Sequence, residues 1–185
     1  AHQSESLAVA LTAAGAQPIV FPTIEILPPA DPQPLAAAIA QLEQFDIAVF
    51  ISPNAARVAL HAIAARQPWP ATLTAATIGR GGERAHVEYV TCYRRALPQA
   101  DAASLLAAWR DGRIDAVAAT SSEGVRNLFT LVGDAGREAL TRTPLFVPHP
   151  RIESVARAAG CQCVVLTAQG DDGLLAGLAT WFTRE

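Results

Sequence analysis

Two serines define the chemistry this chain can offer. Ser52 and Ser121 stand at matching places in an internal echo. Phe45-Asp46-Ile47-Ala48-Val49-Phe50-Ile51-Ser52-Pro53-Asn54-Ala55-Ala56-Arg57 aligns with Ile114-Asp115-Ala116-Val117-Ala118-Ala119-Thr120-Ser121-Ser122-Glu123-Gly124-Val125-Arg126. Asp, Ser and Arg recur at one fixed offset. Each copy runs from an acidic entry through a short apolar stretch to a small hydroxyl, then into a helical pattern. A buried parallel strand followed by a capped helix has that signature. Serine at such a junction caps the helix. The same terminus can hold a carboxylate on its backbone N–H groups. The two readings of Ser52 and Ser121 are compatible, because a carboxylate can share those N–H groups. Pro53, Asn54 and Ser122 belong to the same two termini and join them as substrate-binding candidates.

The remaining reactive side chains exclude more than they suggest. All 14 lysine-plus-arginine positions are arginine. Schiff-base chemistry and a P-loop with its usual lysine are thereby excluded. Arginine suits forked recognition of carboxylate or phosphate, although genome bias produces the same composition. Cys92, Cys161 and Cys163 are odd in number and contain one C-x-C, so they form neither a disulfide framework nor a usual zinc site. Cys161 and Cys163, which flank an apparent strand start, read as small buried residues, and a reducing cytoplasm is expected. His2, His61, His86 and His149 are scattered, and no metal site is expected. No G-x-S-x-G supports a hydrolase.

Composition narrows the class further. Hydrophobic residues make up 51% and charged residues 17% of 185, enough for one large or two small domains with a substantial core. A net charge of −3 makes no electrostatic case for nucleic acid. No apolar run reaches the ~18 residues of a membrane span. No signal peptide is visible, and the sequence begins without Met, so residues preceding it are expected.

The elements that must position these residues follow from periodicity. Ser4–Gly15 predicts a helix and Pro18–Ile26 a strand. Leu27-Pro28-Pro29-Ala30-Asp31-Pro32 reads as a rigid linker. Pro34–Gln44 predicts a helix, Ile47–Ile51 the first echoed strand, Asn54–Ala65 a helix with Val58, Leu60 and Ile63 inward, and Leu73–Ile78 a strand. Val87–Tyr93 alternates like a strand, and Arg94–Pro98 leads away from it. Helices follow at Ala102–Arg110, Glu123–Val132, Ile152–Ala159 and Asp172–Phe182. Strands follow at Ala116–Thr120, Leu145–Val147 and Cys163–Leu166.

The echo also exposes an anomaly. Ala76-Thr77-Ile78-Gly79 matches Phe146-Val147-Pro148-His149, yet only the later copy continues into a further helix and strand. A parallel crossover needs about a dozen residues. The stretch from Gly79 to His86 is too short, so residues are expected to be missing there, with a Cα step beyond ~3.8 Å. The two linkers, 27–32 and 92–98, then divide the chain into a discontinuous first domain, 1–27 plus 97–185, and an inserted second domain, 33–92.

This order of features resembles the uroporphyrinogen-III synthase family. The matching residues are Phe21-Pro22-Thr23-Ile24-Glu25-Ile26 before a proline linker, the Phe45–Ala55 segment, Thr77-Ile78-Gly79, Val90-Thr91-Cys92-Tyr93-Arg94, Thr120-Ser121-Ser122-Glu123-Gly124-Val125, Pro148-His149-Pro150-Arg151-Ile152 and a Gly-Asp-Asp-Gly turn at 170–173. The ordered set spans nearly the whole chain; no single motif in it is specific. The resemblance implies an α/β fold of two similar flavodoxin-like domains with parallel sheets, a two-stranded linker and a cleft between them. It implies cyclisation of linear hydroxymethylbilane, with inversion of the last pyrrole ring, to uroporphyrinogen III and water. It implies no cofactor, a linear tetrapyrrole as substrate, hydroxymethylbilane synthase as the donor, and a cytoplasmic monomer.

Within that resemblance, Tyr93 matches the tyrosine at the end of the returning linker strand. Its phenol can assist departure of the leaving hydroxyl as a hydrogen-bond donor or general acid. It reads equally as a strand tyrosine with a packed ring and a wet hydroxyl. Gly79 matches a position of close backbone approach, and Arg80-Gly81-Gly82 resembles a turn of the family. His149-Pro150-Arg151-Ile152 departs from the family pattern of glycine, proline and two hydroxyl residues. Ile152 cannot take over a hydroxyl role. Arg151 can contact a carboxylate bidentately or simply be a solvated arginine at a helix start. His149 is a binding candidate by position.

Two rivals share parts of this pattern. A non-catalytic two-domain small-molecule-binding protein of the periplasmic sugar-binding kind would need an export signal and stacking aromatics, and aromatics are 6% here. A response-regulator-like domain would need an acidic cluster and a lysine, and there is no lysine.

Overall fold

Strand β6 (Leu145–Val147) is buried at every position. A strand is buried throughout only when both faces of its sheet are covered. Its side chains alternate accordingly. Leu145 and Val147 enter one core with Leu105, Val125, Leu128, Phe129, Ile152 and Ala156. Phe146 points the other way, into a second core with Leu7, Leu174 and Leu178. A computed structural model describes residues 2–77 and 88–183 of the chain.

The elements run in the order α1 (His2–Ala13), β1 (Glu25–Leu27), α2 (Gln33–Ala40), β2 (Ile47–Phe50), α3 (Pro53–Ala64), β3 (Thr74–Thr77), β4 (Arg94–Ala96), α4 (Ala103–Arg110), β5 (Val117–Ala118), α5 (Ser122–Arg142), β6, α6 (Pro150–Ala158), β7 (Val164–Leu166) and α7 (Gly170–Phe182). The chain separates into two compact units, Ala1–Glu25 with Leu97–Glu185 and Ile26–Ala96.

In the larger unit β5, β6 and β7 form a parallel sheet in that order, with Ala118 opposite Phe146 and Phe146 opposite Val165. Helices α4, α5 and α6 supply one core and α1 and α7 the other. Trp181 of α7 closes the second core edge-on against Phe146, with ring centroids 5.8 Å apart. The only buried polar side chain among the described residues is Thr143. Its hydroxyl accepts from Trp109 Nε1 at 3.0 Å and donates to the Ala139 carbonyl at 2.8 Å.

In the smaller unit β2 and β3 are parallel, with Ile47 opposite Thr74 and Phe50 opposite Thr77. Ile39, Leu42, Ile63 and Leu73 form its core, with Ala48 packed against it. Ile47 and Val49 of β2 and Ile51 just past it are 58%, 56% and 68% exposed. A short ladder pairs β1 with β4 where the chain passes from one unit to the other.

Several sequence expectations are corrected. The strand expected over Pro18–Ile26 pairs only at Glu25–Leu27. Pro18 and Pro22 lack a donor for a ladder, and Phe21 instead packs on the larger core. The strand expected over Val87–Tyr93 pairs instead at Arg94–Ala96. Strand propensity yields to the reach of the partner, and β1 offers three residues. The helix expected over Glu123–Val132 does stop there, at Gly133, whose φ of 56° and ψ of −159° are non-helical and available chiefly to glycine; what the sequence reading missed is the second helical stretch that carries α5 on to Arg142. Leu60, expected inward, is exposed at the rim of a depression it shares with Pro68 and Trp69. Gly79, Arg80-Gly81-Gly82, Ile78 and the expected break between Gly79 and His86 lie outside the described residues.

Candidate active site

Both echoed serines sit in extended backbone directly before a helix, and both cap it. Ser52 Oγ accepts from the Ala55 N–H at 3.0 Å and Ser121 Oγ accepts from the Gly124 N–H at 2.9 Å. A hydroxyl at this position satisfies a donor that the helix itself cannot. The close fit at Ser121 requires Gly124. A Cβ there would lie 2.9 Å from Ser121 Oγ and 3.1 Å from Thr23 Oγ1.

A third cap follows β6. His149 Nδ1 accepts from the Arg151 N–H at 3.1 Å, so this imidazole holds no proton on Nδ1 while it caps. Ser121 and His149 each lie three residues past paired, adjacent positions of parallel strands, Ala118 and Phe146. They therefore occupy the same edge of the sheet. Ser122 Oγ reaches the Arg151 carbonyl across that edge at 3.5 Å, and Arg151 itself is exposed.

The three caps differ in what they leave for a ligand. In α6 the first turn is fully used: Pro150 has no N–H, Arg151 bonds the His149 ring, and the Ile152 and Glu153 N–H groups bond the His149 carbonyl at 2.9 and 3.2 Å. In α3, Pro53 has no N–H, Ala55 bonds Ser52 Oγ, and the Ala56 N–H bonds the Ser52 carbonyl at 3.0 Å. The Asn54 N–H is left unpaired among the described residues. In α5 the Ser122 N–H is likewise unpaired among the described residues, while Gly124 and Val125 bond Ser121.

Tyr93 lies just before β4, half-buried, with its phenol oxygen 3.2 Å from Ser52 Oγ. Two sequence-predicted site residues thus meet within the smaller unit. The segment carrying Tyr93 is held by a group that sequence reasoning assigned no role. Buried Cys92 donates its thiol to the Ala55 carbonyl at 3.8 Å. Burial pushes the Cys92 thiol up from its ordinary value, and a backbone hydrogen bond offsets part of that rise. The thiol therefore stays protonated and serves as a weak donor. In the larger unit Asn127 Nδ2 donates to the Thr23 carbonyl at 2.7 Å and ties the segment before β1 to α5. Asn127 carried no motif that marked it.

These features define a class: a parallel α/β protein with serine-capped helix N-termini just past its strands. The family described as "Uroporphyrinogen-III synthase HemD" matches residues 5–85 and 81–176. The chain belongs to this family. The uroporphyrinogen-III synthase of Synechococcus elongatus is 43% identical over 67 residues, covering 36% of this chain. The chain spans about a quarter (25%) of the length of that curated relative. The crystal structure of a mutant uroporphyrinogen III synthase from the extremely thermophilic bacterium Thermus thermophilus has the same fold. Its TM-score is 0.63 at 17% identity, covering 100% of this chain and 97% of that one. No helix among the described residues is long and apolar enough to cross a membrane.

Proposed function

We propose that this chain is a uroporphyrinogen-III synthase, a lyase that closes hydroxymethylbilane with inversion of the terminal pyrrole ring. The observation that carries this reading is the family match along most of the chain. The flavodoxin-like domain pair (1–27 plus 97–185, and 33–92), the two-stranded linker, the intervening cleft and the cytoplasmic monomer form part of the same proposal. So does supply of substrate by hydroxymethylbilane synthase.

The task itself fits the residues. The substrate is flexible and carries eight carboxylates, and closure without inversion is already facile, so the enzyme must chiefly impose shape. The Asn54 and Ser122 N–H groups, at the termini capped by Ser52 and Ser121, are free to take carboxylates. The terminus of α6 is not, since Pro150 and the His149 cap consume its donors. There the guanidinium of Arg151 takes the role. Tyr93 donates its phenol proton to the departing hydroxyl, so that the C–O bond breaks to release water. The proton shed by the pyrrole carbon on closure balances that transfer.

The test is incubation with hydroxymethylbilane, followed by oxidation and chromatographic separation of the porphyrin isomers. The type III isomer should predominate over the type I isomer formed spontaneously. Tyr93→Phe should lower turnover roughly 100-fold and leave the unfolding midpoint in place. Type I product alone from the wild-type chain would refute the function. An unchanged rate in Tyr93→Phe would refute the role of the phenol.

A further inference from the structure

We propose that Ser52 is a positioning residue for Tyr93: it relays a hydrogen bond from the N-terminus of α3 to the phenol oxygen and so keeps the phenol proton available for the leaving group. This rests on the function proposed above and deepens it.

The relay follows from counting protons. A serine hydroxyl has one proton and two acceptor sites. One acceptor site of Ser52 Oγ takes the Ala55 N–H at 3.0 Å. The contact to Tyr93 Oη at 3.2 Å can run either way. If Tyr93 donates, its proton is committed to Ser52 and cannot reach substrate. If Ser52 donates, the phenol proton is free. The second arrangement is also the one the helix favours. An oxygen that accepts from a helix-terminal N–H becomes a better donor through its own proton. The positive end of α3 steadies the negative charge that grows on the phenol oxygen as it releases its proton.

Both ends of the relay are anchored to one residue. Ala55 donates its N–H to Ser52 and accepts the thiol of Cys92, the neighbour of Tyr93. Ala55 and Cys92 are both buried. The Ala56 N–H bonds the Ser52 carbonyl, and Pro53 opens the helix with its preset φ. The serine and the tyrosine are therefore fixed to the same turn of helix, which a surface tyrosine would not require.

The chain has two tyrosines, which makes the contact directly measurable. Tyr89 is 91% exposed and serves as an internal reference. In protein labelled with 13C at tyrosine Cζ, Ser52→Ala should move the Tyr93 resonance and leave that of Tyr89. It should lower kcat roughly tenfold, the effect of one hydrogen bond, with KM little changed. In a Tyr93→Phe background the same substitution should have no further effect on kcat, because the phenol it serves is gone. Ser52→Thr should restore both readouts. Ser52→Asp keeps the cap acceptor but has no proton to donate at neutral pH, so it should fold and still show the loss. An unmoved Tyr93 resonance, or equal losses of kcat with and without the phenol, would reduce Ser52 to a helix cap and overturn the proposal. Wild-type chain without type III product would sink the proposed function instead, and the resonance arm would then decide the hydrogen bond by itself.

Discussion

Arginine, serine and tyrosine do different work here because their surroundings differ. Ser52 and Ser121 have the same cap geometry, but Ser52 has a phenol beside it in its own unit, whereas the unit that carries Ser121 contains no tyrosine. The echo in sequence therefore reports a shared fold element and conceals a chemical asymmetry. Arg151 stands at a helix start whose backbone donors are already used. The proposed carboxylate contact there falls to its side chain. Under the proposed function, Arg151→Ala is expected to raise KM for hydroxymethylbilane severalfold with kcat nearly unchanged, since a carboxylate clamp that takes no part in the chemical step acts equally in ground and transition states. Arg151→Lys should recover only part of that loss, because an ammonium cannot make the forked contact. Steady-state kinetics on both variants checks this, and a fall in kcat at constant KM would contradict it.

Helix starts are the elements on which this molecule depends, and they are built by different means. Ser caps α3 and α5, His149 caps α6, and α7 begins with no side-chain cap at all. Instead, the first turn of α7 presses against the chain before it. A Cβ at Gly173 would lie 2.1 Å from the Ala168 carbonyl oxygen. Backbone cannot yield as a flexible side chain can, so Gly173→Ala should cost about 3 kcal/mol and loosen the packing of Leu174 and Leu178 on Phe146. Denaturant unfolding followed by tryptophan fluorescence would report it, since Trp181 lies on that helix against Phe146. A variant as stable as the parent would show that α7 can shift to make room.

For the molecule as a whole, the cysteines couple stability to alkaline pH. Burial raises the thiols of both Cys92 and Cys161 above their ordinary value. The folded chain then holds those protons more tightly than the unfolded chain does. This contribution is fully present below the unfolded thiol value of about 8.5 and is lost as pH rises through the higher folded values. Thermal midpoints should therefore fall above about pH 8.5, and the double variant Cys92→Ala/Cys161→Ala should flatten that part of the profile. An unaltered alkaline slope in the double variant would assign it to other groups.

The α/β class, the parallel strands and the two serine-capped helix starts were legible in the sequence because each depends on neighbours a few residues away; the His149 cap of α6 was not, since the helix there was read only from Ile152. The apolar run of β6 announces a strand, though its cover on both faces is a finding of the structure, and a serine before a helical pattern announces its own hydrogen bond. What only the tertiary structure decided needs partners distant in the chain. Whether the strand expected over Val87–Tyr93 forms there or at Arg94–Ala96 depends on the reach of β1, and the one expected over Pro18–Ile26 forms only where a partner lies alongside, at Glu25–Leu27. The meeting of Ser52 with Tyr93 spans 41 residues. No local pattern encodes it, because a hydrogen bond between side chains depends on where two segments are placed and not on the residues beside either one.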